Sequence, residues 1–228
     1  MSGGLTEMTP VSLTVNSSGG GGPAVSLAPT SLAWSGVVVG MTAVAKTVTL
    51  TNTGTATLNI GSIAISGDFA QQTVAKACTG TVLAGASCLI KVAFTPTQVG
   101  LRTGSITITD NATGSPQSLA LSGTGNPQAT LAPANASFGG LTVGTTSSSK
   151  VFTLSNKQNV TLNNIAISTT GDFSVSATTC TGSLAASSSC TISVVFTPTV
   201  KGTRTGSLSV SDSASNSPES SSLTGTGK

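Results

Sequence analysis

The chain of 228 residues contains no histidine and no tyrosine, and its aromatics are one tryptophan and six phenylalanines. Histidine is the commonest general base, and tyrosine is another side chain that can move a proton. Without histidine there is no Ser-His-Asp triad, no Cys-His pair and no imidazole metal ligand. An enzyme would have to work with six carboxylates scattered along the sequence, so catalysis is not expected and no catalytic, cofactor-binding or metal residue is assigned. Charge is also scarce. Asp, Glu, Lys and Arg are 7% of the chain, against roughly a quarter in ordinary globular domains. The net charge of +3 comes from single Lys and Arg residues rather than a patch, which argues against nucleic acid as a partner. No apolar run is long: the one around Gly36 to Met41 falls well short of the roughly 18 residues of a spanning helix, so no membrane span is expected. Met1-Ser-Gly-Gly-Leu-Thr-Glu7 has neither the charged start nor the apolar centre of a secretory leader. A mature or truncated secreted piece, or release with a virion, would each account for that start.

What the sequence has in place of these is a repeat. Cys78 to Arg102 reads CTGTVLAGASCLIKVAFTPTQVGLR, and Cys180 to Arg204 reads CTGSLAASSSCTISVVFTPTVKGTR. The paired positions Cys78/Cys180, Cys88/Cys190, Phe94/Phe196 and Arg102/Arg204 are each 102 apart. Self-similarity at the scale of a small domain divides the chain into two units. Each unit holds two cysteines ten positions apart. Zinc ligands usually stand two to four residues apart, so a disulfide within each unit, Cys78 with Cys88 and Cys180 with Cys190, is the expected arrangement. That pairing implies an oxidising setting, outside the cell or at its surface.

Residues 1–22 precede the repeats. Val11, Leu13 and Val15 alternate with polar residues as in a half-buried strand, and SSGGGG follows as a flexible linker. Ser12-Leu-Thr-Val15 resembles Ser118-Leu-Ala-Leu121, which closes the first repeat, so it reads as the last strand of a further repeat upstream. Repeat one spans residues 23–125 and repeat two 126–228. In the first, Lys46 to Asn52 alternates with Val48 and Leu50 inward, Leu58 to Ile65 continues, and Cys88, Ile90, Val92 and Phe94 share one parity. Gly36 to Gly40 reads as a turn, and Pro96 ends the cysteine strand. Trp34, Val48 and Phe69 correspond to Phe138, Phe152 and Phe173 at a spacing of 104, so a loop before Cys78 holds two extra residues. Short strands, frequent turn signals and no helical period predict two tandem, antiparallel, immunoglobulin-like β-sandwiches, an all-β fold with one internal disulfide per domain.

Several motifs occur in fixed order: Thr49-Leu-Thr-Asn-Thr-Gly54, Gly67-Asp-Phe69, Phe94-Thr-Pro-Thr97, Gly100-x-Arg-x-Gly104 and Leu121-x-Gly-Thr-Gly125. In this the chain resembles the bacterial choice-of-anchor D repeats. These are similar to the ASH-type domains named for abnormal-spindle and hydin proteins, and more distantly to major sperm protein. The resemblance implies immunoglobulin-like domains in tandem in large secreted or surface proteins, and it supplies no catalytic residues. Repeat two departs from the pattern at Ser155-Asn-Lys-Gln-Asn159 and at Ser221, where repeat one has Leu119.

Among candidate site residues, Asp68, Asp172, Asp110 and Asp212 are expected to cap turns or to pair with Arg102 and Arg204. No acidic cluster suited to calcium is visible. Lys46 and Lys150 are expected to be solvated; the other reading is a crosslink from Lys46 to Asn111. All seven aromatics fall on core parity, so carbohydrate binding is possible but has no exposed aromatic platform to support it.

The first reading of function is a non-catalytic structural, spacer or adhesion module of an extracellular surface protein, fibre or virion appendage. Its partners would be neighbouring copies or adjacent domains of a longer array. In the second, the chain is a filament subunit that donates Val11–Val15 to a neighbour, for which the serine-rich strand Glu219–Leu223 is the expected open edge. A carbohydrate- or receptor-binding module is the third.

Overall fold

Strands form where apolar and β-branched residues alternate with Ser and Thr, and they stop where Gly, Pro and Asn intervene. The computed structural model describes residues 21–228; the expected strand Val11–Val15 lies outside them. Repeat one comprises β1 (Val25–Ala28), β2 (Ser31–Val38), β3 (Lys46–Asn52), β4 (Leu58–Ile65), β5 (Phe69–Gln72), β6 (Thr81–Val82), β7 (Ser87–Phe94), β8 (Gly100–Asp110) and β9 (Gln117–Asn126). In repeat two, β10 (Ala129–Ala132), β11 (Asn135–Leu141), β12 (Lys150–Asn156), β13 (Leu162–Asn163) and β14 (Ala166–Thr169) come first. They are followed by β15 (Phe173–Thr178), β16 (Ser183–Leu184), β17 (Ser189–Phe196), β18 (Gly202–Ser211) and β19 (Glu219–Gly227).

The first sandwich sets a sheet of order β1-β3-β7-β5 against one of order β2-β9-β8-β4-β6. The second repeats this with β10-β12-β17-β15 against β11-β19-β18-β14. There β4 has become two pieces: Asn164 adopts φ 58°, a left-handed conformation that asparagine tolerates. The strand breaks at that point, leaving β13 paired only with β16.

The cysteine strands are central. Cys88, Ile90, Val92 and Phe94 on β7, and Cys190, Ile192, Val194 and Phe196 on β17, are all buried. Trp34, Phe69 and Phe94 form an aromatic trio with centroids 4.9–5.9 Å apart, and Phe138, Phe173 and Phe196 form its counterpart. The closing Leu-x-Gly motif follows from that packing. A Cβ on Gly123 would stand 2.5 Å from the Phe94 ring, and one on Gly225 would stand 2.4 Å from the ring of Phe196. Only glycine lets the last strand lie so close to the ring.

Three expectations need correction. The sandwiches are not antiparallel throughout, because β2 pairs with β9, and β11 with β19, in parallel. The chain crosses between sheets over Pro29-Thr30 without pairing back on β1, and so enters beside β9 in β9's own direction. Gly36 is not in a turn: β2 runs through it with an irregular register between Trp34 and Val37. Finally, Glu219–Leu223 is not an open edge. It belongs to β19, which lies between β18 and β11. Its serines are accommodated because alternate residues face outward while Glu219, Ser221 and Leu223 face in.

Candidate functional site

Side-chain bonding concentrates in three places, of which the first two recur in both repeats. The first is the disulfide loop. Cys78 and Cys180 precede the short strands β6 and β16, and each is bonded to the cysteine at the start of β7 or β17, with Cα atoms 4.9 and 5.0 Å apart. Both bridges are buried. Backbone bonds reinforce the first: Cys78 N donates to Leu89 O, and Leu89 N to Lys76 O. The two extra residues of repeat one lie in the loop between β5 and Cys78, while β15 runs two residues longer than β5.

The second place is a clasp between the sheets. Asp68, in the turn before β5, accepts from Arg102 Nε on β8 at 2.6 Å and from the backbone N and Oγ1 of Thr97, both at 3.0 Å. Asp172 does the same with Arg204 at 2.6 Å and with Thr199. The arginine, with the threonine N–H and hydroxyl, holds Asp68 below the usual carboxylate range and brings Asp172 down to about 2. Asp110 and Asp212 take the other expected role and accept from the N–H groups of Ala112 and Ala214 at 2.8 Å. Lys46 and Lys150 are both exposed, as expected, and each reaches over an aromatic ring. Lys46 donates to Ala33 O and lies 5.5 Å from the Trp34 ring centroid, and Lys150 lies 5.7 Å from that of Phe138. The Lys46–Asn111 crosslink has no geometric basis, because Asn111 bonds to Asn59 N and Thr57 O instead.

The third place is the joint between the domains, which only Pro127 and Gln128 connect. Gln128 works as a strut. Its Nε2 donates to Val39 O in the first domain at 3.0 Å, and its Oε1 accepts from Ser215 N in the second at 2.7 Å. Asn216 Oδ1 accepts from the N–H groups of Gln128 and Ala129, at 2.9 and 3.2 Å, while its Nδ2 donates to Ala129 O at 2.9 Å. Val39 N also donates to Asn126 O at 3.0 Å.

Sequence reasoning missed this joint, and it missed Asn52 and Asn156. Both asparagines are fully buried, and Asn52 fills its whole bonding capacity with Ala24, Gly54, Ala56 and Val82. Their recurrence at a spacing of 104 was the one signal that could have found them; in Thr-Asn-Thr-Gly it reads as a turn former.

Six of the seven aromatics are buried, and Phe138 is half-buried beneath Lys150. Among the described residues no group of three His, Cys, Asp or Glu could hold a metal ion, and no helix is long and apolar enough to cross a membrane. Hollows of about 340 Å³ lie beside Ser155 and Ser187–Ser189 and at the joint beside Val38, Pro127 and Thr130. Neither is lined by a carboxylate or thiol.

Residues 22–126 match the family model described as Cep192 domain 4. Residues 127–220 match the ASH model, described as abnormal spindle-like microcephaly-associated, ASPM-SPD-2-Hydin. No curated protein matches the chain. Similar solved structures include a protein of unknown function from Porphyromonas gingivalis W83, at 10% identity over 89% of this chain and 99% of that one, TM-score 0.38. An ASH/PapD-like domain of human CEP192 is 14% identical over 45% of this chain and 84% of that one, TM-score 0.35. The secreted serine protease VesC from Vibrio cholerae is 17% identical over 78% and 48%, TM-score 0.35.

Proposed function

We propose, for a chain that belongs to the ASH-type family of immunoglobulin-like domains, the role of a non-catalytic structural spacer in an extracellular surface protein, fibre or virion appendage. The observation that carries this reading is the joint. Its two-residue connection is bridged by one side chain that bonds both domains, as a module that sets distance and direction requires. Two buried disulfides and sparse charge suit an oxidising, extracellular setting. Composition supports the lack of catalysis, since the commonest acid–base residue is absent.

Pulling the chain between its ends tests the reading. Two separate unfolding events are expected. Each disulfide withholds a ring of ten residues, so reductant should lengthen each event by roughly 35 Å at about 3.5 Å per residue. A chain that extends at low force without two such events would sink the spacer role.

A second reading, a filament built by strand donation, draws support from β15. It is an outer strand whose residues after Phe173 are all exposed, and such an edge can accept an added strand. Val11, Leu13 and Val15 of another copy would be the donor. Size-exclusion chromatography with and without residues 1–22 decides it: assembly that persists without them removes the idea.

A further inference from the structure

At the end of β18 the two repeats differ in a correlated way. Asp110 and Asp212 are equivalent, but Gly114, Gln117 and Leu119 of the first repeat become Asn216, Glu219 and Ser221 in the second. All three changes are polar, and Glu219 and Ser221 face the interior, 7% and 1% exposed. One carboxyl oxygen of each acid is already used. Glu219 Oε1 accepts from Asn216 Nδ2 at 2.6 Å, and Asp212 Oδ1 from Ala214 N at 2.8 Å. The remaining oxygens, Glu219 Oε2 and Asp212 Oδ2, are buried and meet no donor. Val210 pairs with Glu219, and Asp212 follows Val210 by two residues on the same strand parity, so the fold brings both carboxyls to one end of the β18–β19 ladder. Two buried acceptors side by side are satisfied by a single proton held between them.

We infer that this proton is a latch on the interdomain joint: carried by Glu219 and donated to Asp212, it holds the 212–218 loop in place, and its loss sets two buried carboxylates against each other and so loosens the grip of Asn216 on Gln128 and Ala129.

The connection is short. The Asn216 side chain that donates to Glu219 also bonds Gln128 N, Ala129 N and Ala129 O. Ser215, one residue earlier, gives its N–H to the Gln128 strut. Among the described residues, the elements packed against the pair bring no offsetting charge to it. β10 and β11 contain no ionisable side chain. Arg204, on β18, stands opposite Gly225, whereas Glu219 pairs with Val210 near the other end of the ladder. Lys157, whose backbone N donates to Gln128 O, has an exposed side chain. Burial first, then the hydrogen bond and charge of Asp212, push Glu219 up to about 7 from 4.5. The sign follows. An acid whose folded value is raised stabilises the fold fully below its unfolded value, and that contribution falls as pH rises through the folded one. The latch is therefore closed in mild acid and released near and above neutrality.

The amide resonances of Gln128, Ala129 and Ser215 in the full chain, followed from pH 5 to 9, test this. The wild type should show one shared transition near pH 7. Glu219→Gln, which restores the neutral residue of repeat one, should leave the three signals flat and latched across the range. Asn216→Gly, repeat one's residue at that place, should give joint signals released at every pH while a side-chain titration of Glu219 persists. Joint signals that stay still in the wild type, or a transition that survives in Glu219→Gln, would overturn the inference. So would suppression of the transition by added calcium, which would show that a cation occupies the pair. If Glu219→Gln does not fold, Asn216→Gly decides alone, because joint signals that still titrate in it would rule the coupling out.

Discussion

Replacing Asn52 by alanine should be among the most damaging single changes in the first domain, although the residue ends a strand beside a turn. Its Nδ2 donates to Ala56 O at 2.8 Å and Val82 O at 3.0 Å, and its Oδ1 accepts from Gly54 N at 3.1 Å and Ala24 N at 3.3 Å. One side chain thus ties together the entry to β1, the end of β3, the β3–β4 turn and β6. A hydrogen bond contributes about 1 kcal/mol net, and a buried group left without a partner costs about 1–3 kcal/mol. Ala24 and Ala56 are exposed, so their backbone groups can turn to water; Val82 O, whose bond to Asn52 is buried, cannot. The sum is about 3–4 kcal/mol, which lowers the melting temperature of a domain this size by roughly 12–32 °C. The molecule has its own reporter. Trp34 is the only tryptophan and lies in the core of the first domain, so its fluorescence follows that domain alone during guanidinium unfolding. Asn52→Ala should move the Trp34 midpoint, while Asn156→Ala should leave it in place and move only the circular dichroism transition of the second domain. A loss below about 1 kcal/mol in Asn52→Ala, within the range of an ordinary surface change, would refute the reasoning.

Two further outcomes follow from the recurring pairs. Changing both cysteines of one bridge to serine should destabilise that domain by roughly 3 kcal/mol, the chain-entropy value for a ring of this size, as read by denaturant melts with the other domain unchanged. The Asp172–Arg204 clasp should show in acid: a carboxylate lowered from 3.8 to about 2 adds stability that is present above 3.8 and lost as pH falls toward 2. Asp172→Asn should then be less stable than wild type at neutral pH and lose less between pH 4 and 2.

Much of the fold was legible because strand parity is a local property. The alternation Cys88-Ile90-Val92-Phe94 marks the core face without any knowledge of the partner strand. Likewise the recurrence of the Asp and Arg positions in both repeats made the clasp a natural expectation. Pairing partners are not local. Nothing in Glu219–Leu223 distinguishes a central strand from an edge, since its serines fit outward-facing positions of either. The parallel course of β2 depends on where the chain crosses between sheets. The joint stayed hidden for another reason: Gln128, Ser215 and Asn216 have no bonded counterparts in repeat one, so comparing the repeats could not show that they meet. The change at Leu119 was visible as a departure, and only burial joined it with those at Gly114 and Gln117 into a cluster.

The central position of β9 and β19 has a consequence for how the chain is made. Each domain's second sheet has its last-synthesised strand in the middle, so neighbours on both sides wait for it. The first domain can close only once residues 117–126 have emerged, and the second only after 219–227. At 5–20 residues per second, the 102 residues between Gln117 and Glu219 separate the two closures by about 5–20 s. Gln128 Oε1 waits for most of that interval, because its partner Ser215 does not yet exist. The second half of the joint thus forms long after the first domain can close, and the direction in which one domain leaves the other is set only then.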